Sequence, residues 1–348
     1  MVQKRWLKKI YYKANMAIGA EKRLLKKIQK NDLLPILNFH RISPHQNFFW
    51  NPLHPSDFDD LMLFLKKHFE IITFSEIGEI LAGKKKLERP PLLLTFDDGY
   101  YDFIEYAVPI LQKYEIRVSL NVVSEMLMGA EPFWTSQLYS FLQNAPLELI
   151  NKISFSNFKR QLKSKDKEEA QSYALALVRF LKQRPKKSRL KLLNDIAPIL
   201  AEIPFSGPKM MHLKDVKMLS SIHEIGAHAY SHESMGEEDS DFFQKDFHAC
   251  SDFFREKLNL PLKTYAFPNG SYRKEQLDYL LKQGVQNILL VGEKYSELGT
   301  RLHTRFTIAG DSKSELRLKA LGIRADEYKG VDRFTEIYKN NLTKISTD

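Results

Sequence analysis

Cysteine is almost absent from this 348-residue chain. Cys250 stands alone, which excludes an internal disulfide framework and fits a reducing compartment. Long apolar runs are missing too, and none approaches the roughly 20 residues that cross a bilayer. Lys or Arg interrupts the first thirty residues every few positions, so no secretory hydrophobic core is expected there. The resulting expectation is a cytoplasmic protein, free or peripheral to the inner face of a membrane. Repeats and low-complexity segments are lacking. So is positive charge beyond the N-terminus: of the formal net charge of +10, residues 1–30 carry +9 and the other 318 residues carry +1. A protein-wide nucleic-acid surface is thereby excluded, and no nucleic-acid partner is expected.

What is present is an ordinary globular composition, 43% hydrophobic and 28% charged. In residues 1–30, Trp6, Leu7, Ile10, Tyr11, Ala14, Ile18 and Leu25 recur at helical spacing with cations between them. A basic amphipathic helix of this kind can lie on an anionic membrane surface or pack on its own domain. From residue 31 strand-like and helix-like segments alternate, which indicates a mainly parallel sheet or barrel over 31–348. Strands are expected at 35–40, 71–74, 92–96, 117–123, 224–227, 264–267, 285–291 and 304–308. Ser56 and Ser75 are candidate helix caps. Residues 131–209 break the alternation with Lys- and Leu-rich helical periodicity and read as a helical insertion. Its basic run from Lys182 to Lys191 is expected to be a solvated face.

Chemistry concentrates at two places. Leu92–Phe96 runs apolar between Pro90-Pro91 and Gly99, and it ends on Asp97 and Asp98. Two adjacent carboxylates at a strand's carboxyl end are costly to bury unless a cation or proton compensates them. His228 and His232 are four apart, a spacing that lets one tight turn aim both imidazoles at one point. Two imidazoles and one carboxylate make a three-ligand set for a transition metal, with positions left open for water and substrate.

These residues resemble the polysaccharide deacetylases of the NodB-homology type, carbohydrate esterase family 4. The resemblance rests on Thr95-Phe96-Asp97-Asp98-Gly99 and His228…His232, with looser similarity at Ile36–Ile42 and Ala266–Tyr272. It covers roughly 33–129 and 210–310, and it implies an α/β fold, a distorted (β/α) barrel with the helical insertion. It implies a divalent metal, most often Zn²⁺, on Asp98, His228 and His232, with Asp97 as general base. The implied activity is removal of acetyl from an N-acetylated amino sugar of a glycan or glycan precursor. The family's late histidine segment has no clean copy, so His303 and His40 are the candidates for the general acid. Ala266 stands where the family often has an Arg that pairs with the base, and Arg301 or Arg305 could replace it. Tyr100, Trp134 and Tyr272 are candidate sugar platforms, and Arg305 is grouped with them as substrate-binding. Ala229 stands where a hydroxyl residue usually follows the first histidine, and Glu233 is expected to be exposed. Two other readings remain open: a carbohydrate-binding descendant without chemistry, and a metal-dependent hydrolase of an O-acetyl ester or other carbon–nitrogen bond.

Overall fold

The computed structural model describes residues 2–47 and 49–325, the side chains of residues 2–5 and of 167 excepted. The expected core domain extends to 348, and its last residues, 326–348, lie outside the described ones. Eight parallel strands carry the fold: β1 (Ile36–Phe39), β2 (Glu70–Ile72), β3 (Pro91–Phe96), β4 (Ser119–Val122), β5 (Glu224–Ala227), β6 (Thr264–Ala266), β7 (Asn287–Val291) and β8 (Leu302–Thr307). Seven of them close into a barrel, because β1 pairs with β3 on one side and with β8 on the other. The eighth, β2, lies along the start of β3 at Pro91–Leu93. Beyond that point β4 takes over the same edge, at Thr95 and Phe96. Every residue of β3 is buried, as expected for a parallel strand covered on both faces, and its near-continuous apolar run reflects this.

Helices wrap the barrel: α3 (Pro55–His68), α4 (Phe74–Leu81), α5 (Val108–Lys113), α10 (Leu213–Leu219), α11 (Ser240–Phe253), α12 (Lys274–Lys282) and α13 (Lys313–Ala320). Two caps differ from expectation. His54, not Ser56, caps α3 by accepting from the Ser56 N–H, with Pro55 pre-set for the first turn. Thr73, not Ser75, caps α4, in a reciprocal box with Glu76.

Between β4 and β5 the chain passes through α6 (Trp134–Asn144), α7 (Leu147–Ile150), α8 (Lys167–Lys182) and α9 (Lys186–Leu200). Asp166 caps α8 by accepting from the Glu168 and Glu169 N–H groups, both at 3.1 Å. These helices bury an apolar cluster of their own, including Leu138, Phe141, Tyr173, Leu177, Leu181 and Ile196.

The basic N-terminal segment is two helices, α1 (Val2–Ala17) and α2 (Ala20–Lys30), broken at Gly19, whose φ of +73° glycine tolerates readily. One side of α1 packs on α13. Tyr12 is buried with Ala20 and Leu318, and the Lys8 ammonium lies 2.6 Å from the Glu315 carboxylate. Trp6, Leu7, Ile10, Tyr11 and Ile18 stay exposed. No described helix is long and apolar enough to cross a membrane.

Tyr12→Ala should cost roughly 2–4 kcal/mol of stability, the usual penalty for truncating a large buried side chain. It should also free α1 for proteolysis ahead of the barrel. Limited trypsinolysis read by mass spectrometry, with a denaturant melt, checks both.

Candidate metal centre and active site

Side chains that point into the barrel alternate along each strand, and they form two layers of different chemistry. The lower layer is apolar: Ile36, Leu93, Ala266 and Leu289 of the barrel strands pack together there with Ile72 of β2 and Phe74 of α4. The upper layer is polar and fully bonded, with Asn38, Thr95, Asn121 and Arg305 all buried. Asp97 sits on this layer. Arg305 grips it with both terminal nitrogens, each 2.9 Å from a carboxylate oxygen. Asn121 donates to Oδ1 at 2.7 Å and Asn38 to Oδ2 at 3.0 Å. Burial by itself would raise the Asp97 pKa, but the Arg305 charge and His228 outweigh it and hold the carboxyl well below its ordinary range.

Gly226 makes room for this clamp. A Cβ there would stand 2.3 Å from the Asn121 Oδ1, so any side chain would push Asn121 away from Asp97.

Above the clamp the chain turns sharply. Asp98 and Gly99 both have φ of +80°, and Ala229 and His232 have φ of +64° and +57°. Such conformations are strained for non-glycine residues and often mark functional sites. Here they bring Asp98, His228 and His232 together. The Nε2 of each histidine lies 3.3 Å from Asp98 Oδ1. His228 Nδ1 lies 2.9 Å from the Ala266 carbonyl, which can only accept, so Nδ1 carries the proton and Nε2 is free to ligate. The loop between the histidines is held by Asp246 of α11, which accepts from the N–H groups of Tyr230 at 2.9 Å and Ser231 at 3.1 Å.

These three side chains fit a metal ion. Asp98 Oδ1 is buried without a hydrogen-bond donor, although two imidazole nitrogens aim at it. Donors bonded tetrahedrally to Zn²⁺ at about 2.0–2.1 Å stand roughly 3.3–3.5 Å apart, which matches the two Asp98–histidine spacings. Burial opposes charge on Asp98, but the two imidazoles facing it outweigh burial and hold its pKa well below the carboxylate range. For His232 burial prevails and its pKa falls, while for His228 the two aspartates raise it.

The other predicted residues divide. His40 follows β1 at the rim, edge-on to Trp50 at 5.6 Å and within electrostatic reach of both aspartates. His303 is misplaced as an acid. It points inward from β8, but two residues earlier than Arg305, so it lies in the lower layer and not at the rim. There it is fully buried, bonded to Ser296 Oγ at 2.8 Å and packed on Phe74 at 5.3 Å. Arg305 is not open to substrate either, because it is the buried partner of Asp97. Tyr100 and Tyr272 offer no open ring face. Tyr100 is buried, with its hydroxyl 3.2 Å from Ser136 Oγ, and Tyr272 packs on Phe267 at 5.2 Å. Trp134 is half-buried with the Arg189 guanidinium 5.3 Å from its ring centre.

The basic run of α8 and α9 is no simple solvated face. Arg189 is buried and pairs with Glu233, also buried, next to His232. The Lys182 ammonium bonds Asn269 Oδ1 in the turn after β6 and lies within electrostatic reach of Asp98 and His232. Asn38, Asn121 and Asp246 escaped the sequence reading. The strand alternation that puts Asn38 two residues before His40, and Asn121 two after Ser119, was the signal for the first two. Asp246 left none.

Known proteins share parts of this sequence and this fold. Residues 211–288 match the family model described as polysaccharide deacetylase. Over those residues the chain is similar to that family. That match contains both histidines, while Asp97 and Asp98 lie outside it and reach the site through the barrel. A protein of Bacillus subtilis (strain 168), YxkH, provisionally named a polysaccharide deacetylase, is 29% identical over 102 residues. That alignment takes in 29% of this chain and 36% of YxkH. The fold is shared with the Streptococcus pyogenes deacetylase PplD, solved with acetate, at TM-score 0.55 and 17% identity over 83% of this chain and 98% of that one. IcaB from Ammonifex degensii gives TM-score 0.51 and 16% identity over 84% and 98%.

Burial pushes the His303 pKa down to about 3. The unfolded chain therefore binds the extra proton first, and stability should fall as pH drops from about 6.5 toward 3, by up to about 1.4 kcal/mol per pH unit for this imidazole. His303→Asn should flatten that slope in urea melts at pH 7, 5.5 and 4.5, whatever it does to the absolute stability.

Proposed function

We propose that this protein is a metal-dependent N-deacetylase acting on an N-acetylated amino sugar of a glycan or glycan precursor. One observation carries the reading: an orphaned carboxylate oxygen faces two imidazole nitrogens at the open end of a parallel barrel, beside a second, separately neutralised carboxylate. Asp98, His228 and His232 would hold a divalent cation, with Zn²⁺ the best fit to the donor set. When bound, the cation supplies Lewis acidity toward water and the acetyl carbonyl.

The chain's own residues supply the rest. Asp97 is the general base for the attacking water. Each of its oxygens already accepts two hydrogen bonds, so it must exchange one, from Asn38 or Asn121, to take the proton. Arg305 keeps it ionised and fixed in direction. His40 is our candidate for protonating the leaving amine, and a backbone N–H near Tyr272 is the candidate for the oxyanion. A cleft of about 100 Å³ between Arg41, Trp50, Ser136 and Tyr139 adjoins the aromatic side of the site and gives a longer glycan somewhere to extend. The O-acetyl ester alternative would use the same groups, but its leaving oxygen can depart as an alkoxide and take its proton from water, so a loss of amide cleavage in His40→Ala with ester cleavage retained separates the two.

Purified protein should hold close to one divalent metal per chain after reconstitution, and it should release acetate from N-acetylated sugar oligomers. Asp98→Ala and His232→Ala should each lose the metal, and activity should fall by at least about a hundredfold. Mass-spectrometric metal counting and an acetate assay measure these. A parent protein that takes up no metal refutes the catalytic reading and favours a carbohydrate-binding module.

A second observation bears on location. The exposed Trp6, Leu7, Ile10, Tyr11 and Ile18 share α1 and its end with exposed Lys9 and Lys13. Aromatic and aliphatic groups among free cations suit an anionic bilayer surface, so a peripheral membrane position is the companion proposal. Sedimentation with phosphatidylserine vesicles, but not with phosphatidylcholine vesicles, is expected, and Trp6→Ser with Leu7→Ser should abolish it.

A further inference from the structure

The helical segment between β4 and β5 sends one cation back into the site. Lys182 closes α8, one residue after Leu181, which is fully buried in the apolar cluster of those helices. Its ammonium turns toward the barrel and bonds Asn269. Asn269 is itself fixed by a left-handed backbone, φ +57°, and by a 3.1 Å bond from its Nδ2 to Ser234 Oγ. Lys182 is therefore positioned by the third loop of the site, the same loop whose Ala266 carbonyl orients His228.

Of the three N–H donors on the ammonium, Asn269 takes one. No carboxylate makes an ion pair with it among the described residues, and Asp98 is the acidic group whose charge it feels. The neighbouring cations are otherwise spoken for: Arg189 by Glu233, Arg305 by Asp97 and Arg41 by Asp102. A divalent ion on Asp98, His228 and His232 would consume that one compensating charge. The site would then carry a surplus of about two positive charges, one on the ion and one on Lys182, in a partly enclosed space where charge is weakly screened. An ammonium with spare donors and no acid beside it is a recognition group for an oxyanion.

We infer that Lys182 is a specificity residue that binds an anionic group, phosphate or carboxylate, on the same acetylated sugar that presents its acetamide to Asp98, His228 and His232. The inference rests on the deacetylase reading and narrows it from N-acetylated amino sugars in general to those bearing a negative charge close to the acetamide. It also gives the helices between β4 and β5 a role: they deliver a charge that the barrel's own loops do not provide.

Calorimetric titration of the metal-reconstituted full chain tests it, with acetate release counted in the same samples. The probes are N-acetylglucosamine 1-phosphate, N-acetylglucosaminuronate and neutral N-acetylglucosamine. The parent should bind at least one anionic sugar about tenfold or more tightly than the neutral one, the scale of a charge-assisted hydrogen bond. Whichever anionic probe gains identifies the group. Lys182→Met should bring that affinity down to the level of the neutral sugar while the protein stays folded and metal-loaded, and Lys182→Arg should retain most of the preference. Equal affinities in the parent, or a preference that survives in Lys182→Met, overturn this inference alone. Failure of every sugar to bind to metal-loaded protein overturns it together with the deacetylase reading.

Discussion

The ion pair between Asp97 and Arg305 is the constraint from which the site follows. It crosses the barrel from β3 to β8, and Asn38 of β1 and Asn121 of β4 complete it, so four strands are tied by one carboxylate. Burying these charges is costly, and removal of one partner of such a pair typically costs about 3–5 kcal/mol because the other is left uncompensated. The same bonds fix Asp97 to within hydrogen-bond tolerances and keep it ionised. They also fix where the chain must turn. Asp98 immediately follows, and its left-handed backbone swings its carboxylate away from Arg305 and toward the histidines. Two adjacent aspartates thus acquire different surroundings, one neutralised by protein and one left for a cation.

Polarity in the barrel is graded along its axis. An apolar plug gives way to a fully bonded amide and guanidinium layer, then to the ligand set, then to the aromatic cluster of Trp50, Tyr100 and Phe133. His303 illustrates the gradient. It faces the same interior as Arg305, yet two residues of strand, or about 7 Å, place it among hydrocarbon, where it remains neutral. Its neighbour two positions on holds the catalytic candidate Asp97. Depth in the barrel, more than residue type, separates a structural imidazole from the functional groups.

The helices between β4 and β5 are bound into this arrangement at their basic junction. Arg189 reaches Glu233, one residue past a metal-ligand candidate, while Lys182 reaches Asn269. Tight loops from β3, β5 and β6 form one side of the site, and the turn from α8 to α9 forms another. What resembles a surface charge run in one dimension is, in three, a set of individually paired or buried cations.

The sequence by itself determined a good deal. The order of strands and helices was legible because parallel strands buried on both faces write continuous apolar runs, as in Leu92–Phe96. The pair Asp97-Asp98 and the spaced His228 and His232 were legible because metal chemistry needs particular side chains at short separations. Tertiary structure alone decided which arginine meets Asp97, that His303 points into apolar packing, that Tyr100 and Tyr272 are covered, and that Lys182 faces the site. Each of these depends on contacts between residues far apart in the chain, up to 267 positions for Arg305 and Asn38. Local periodicity reports which way a side chain points from its own strand or helix. It carries no information about the depth at which that strand sits or about what the closed barrel brings opposite.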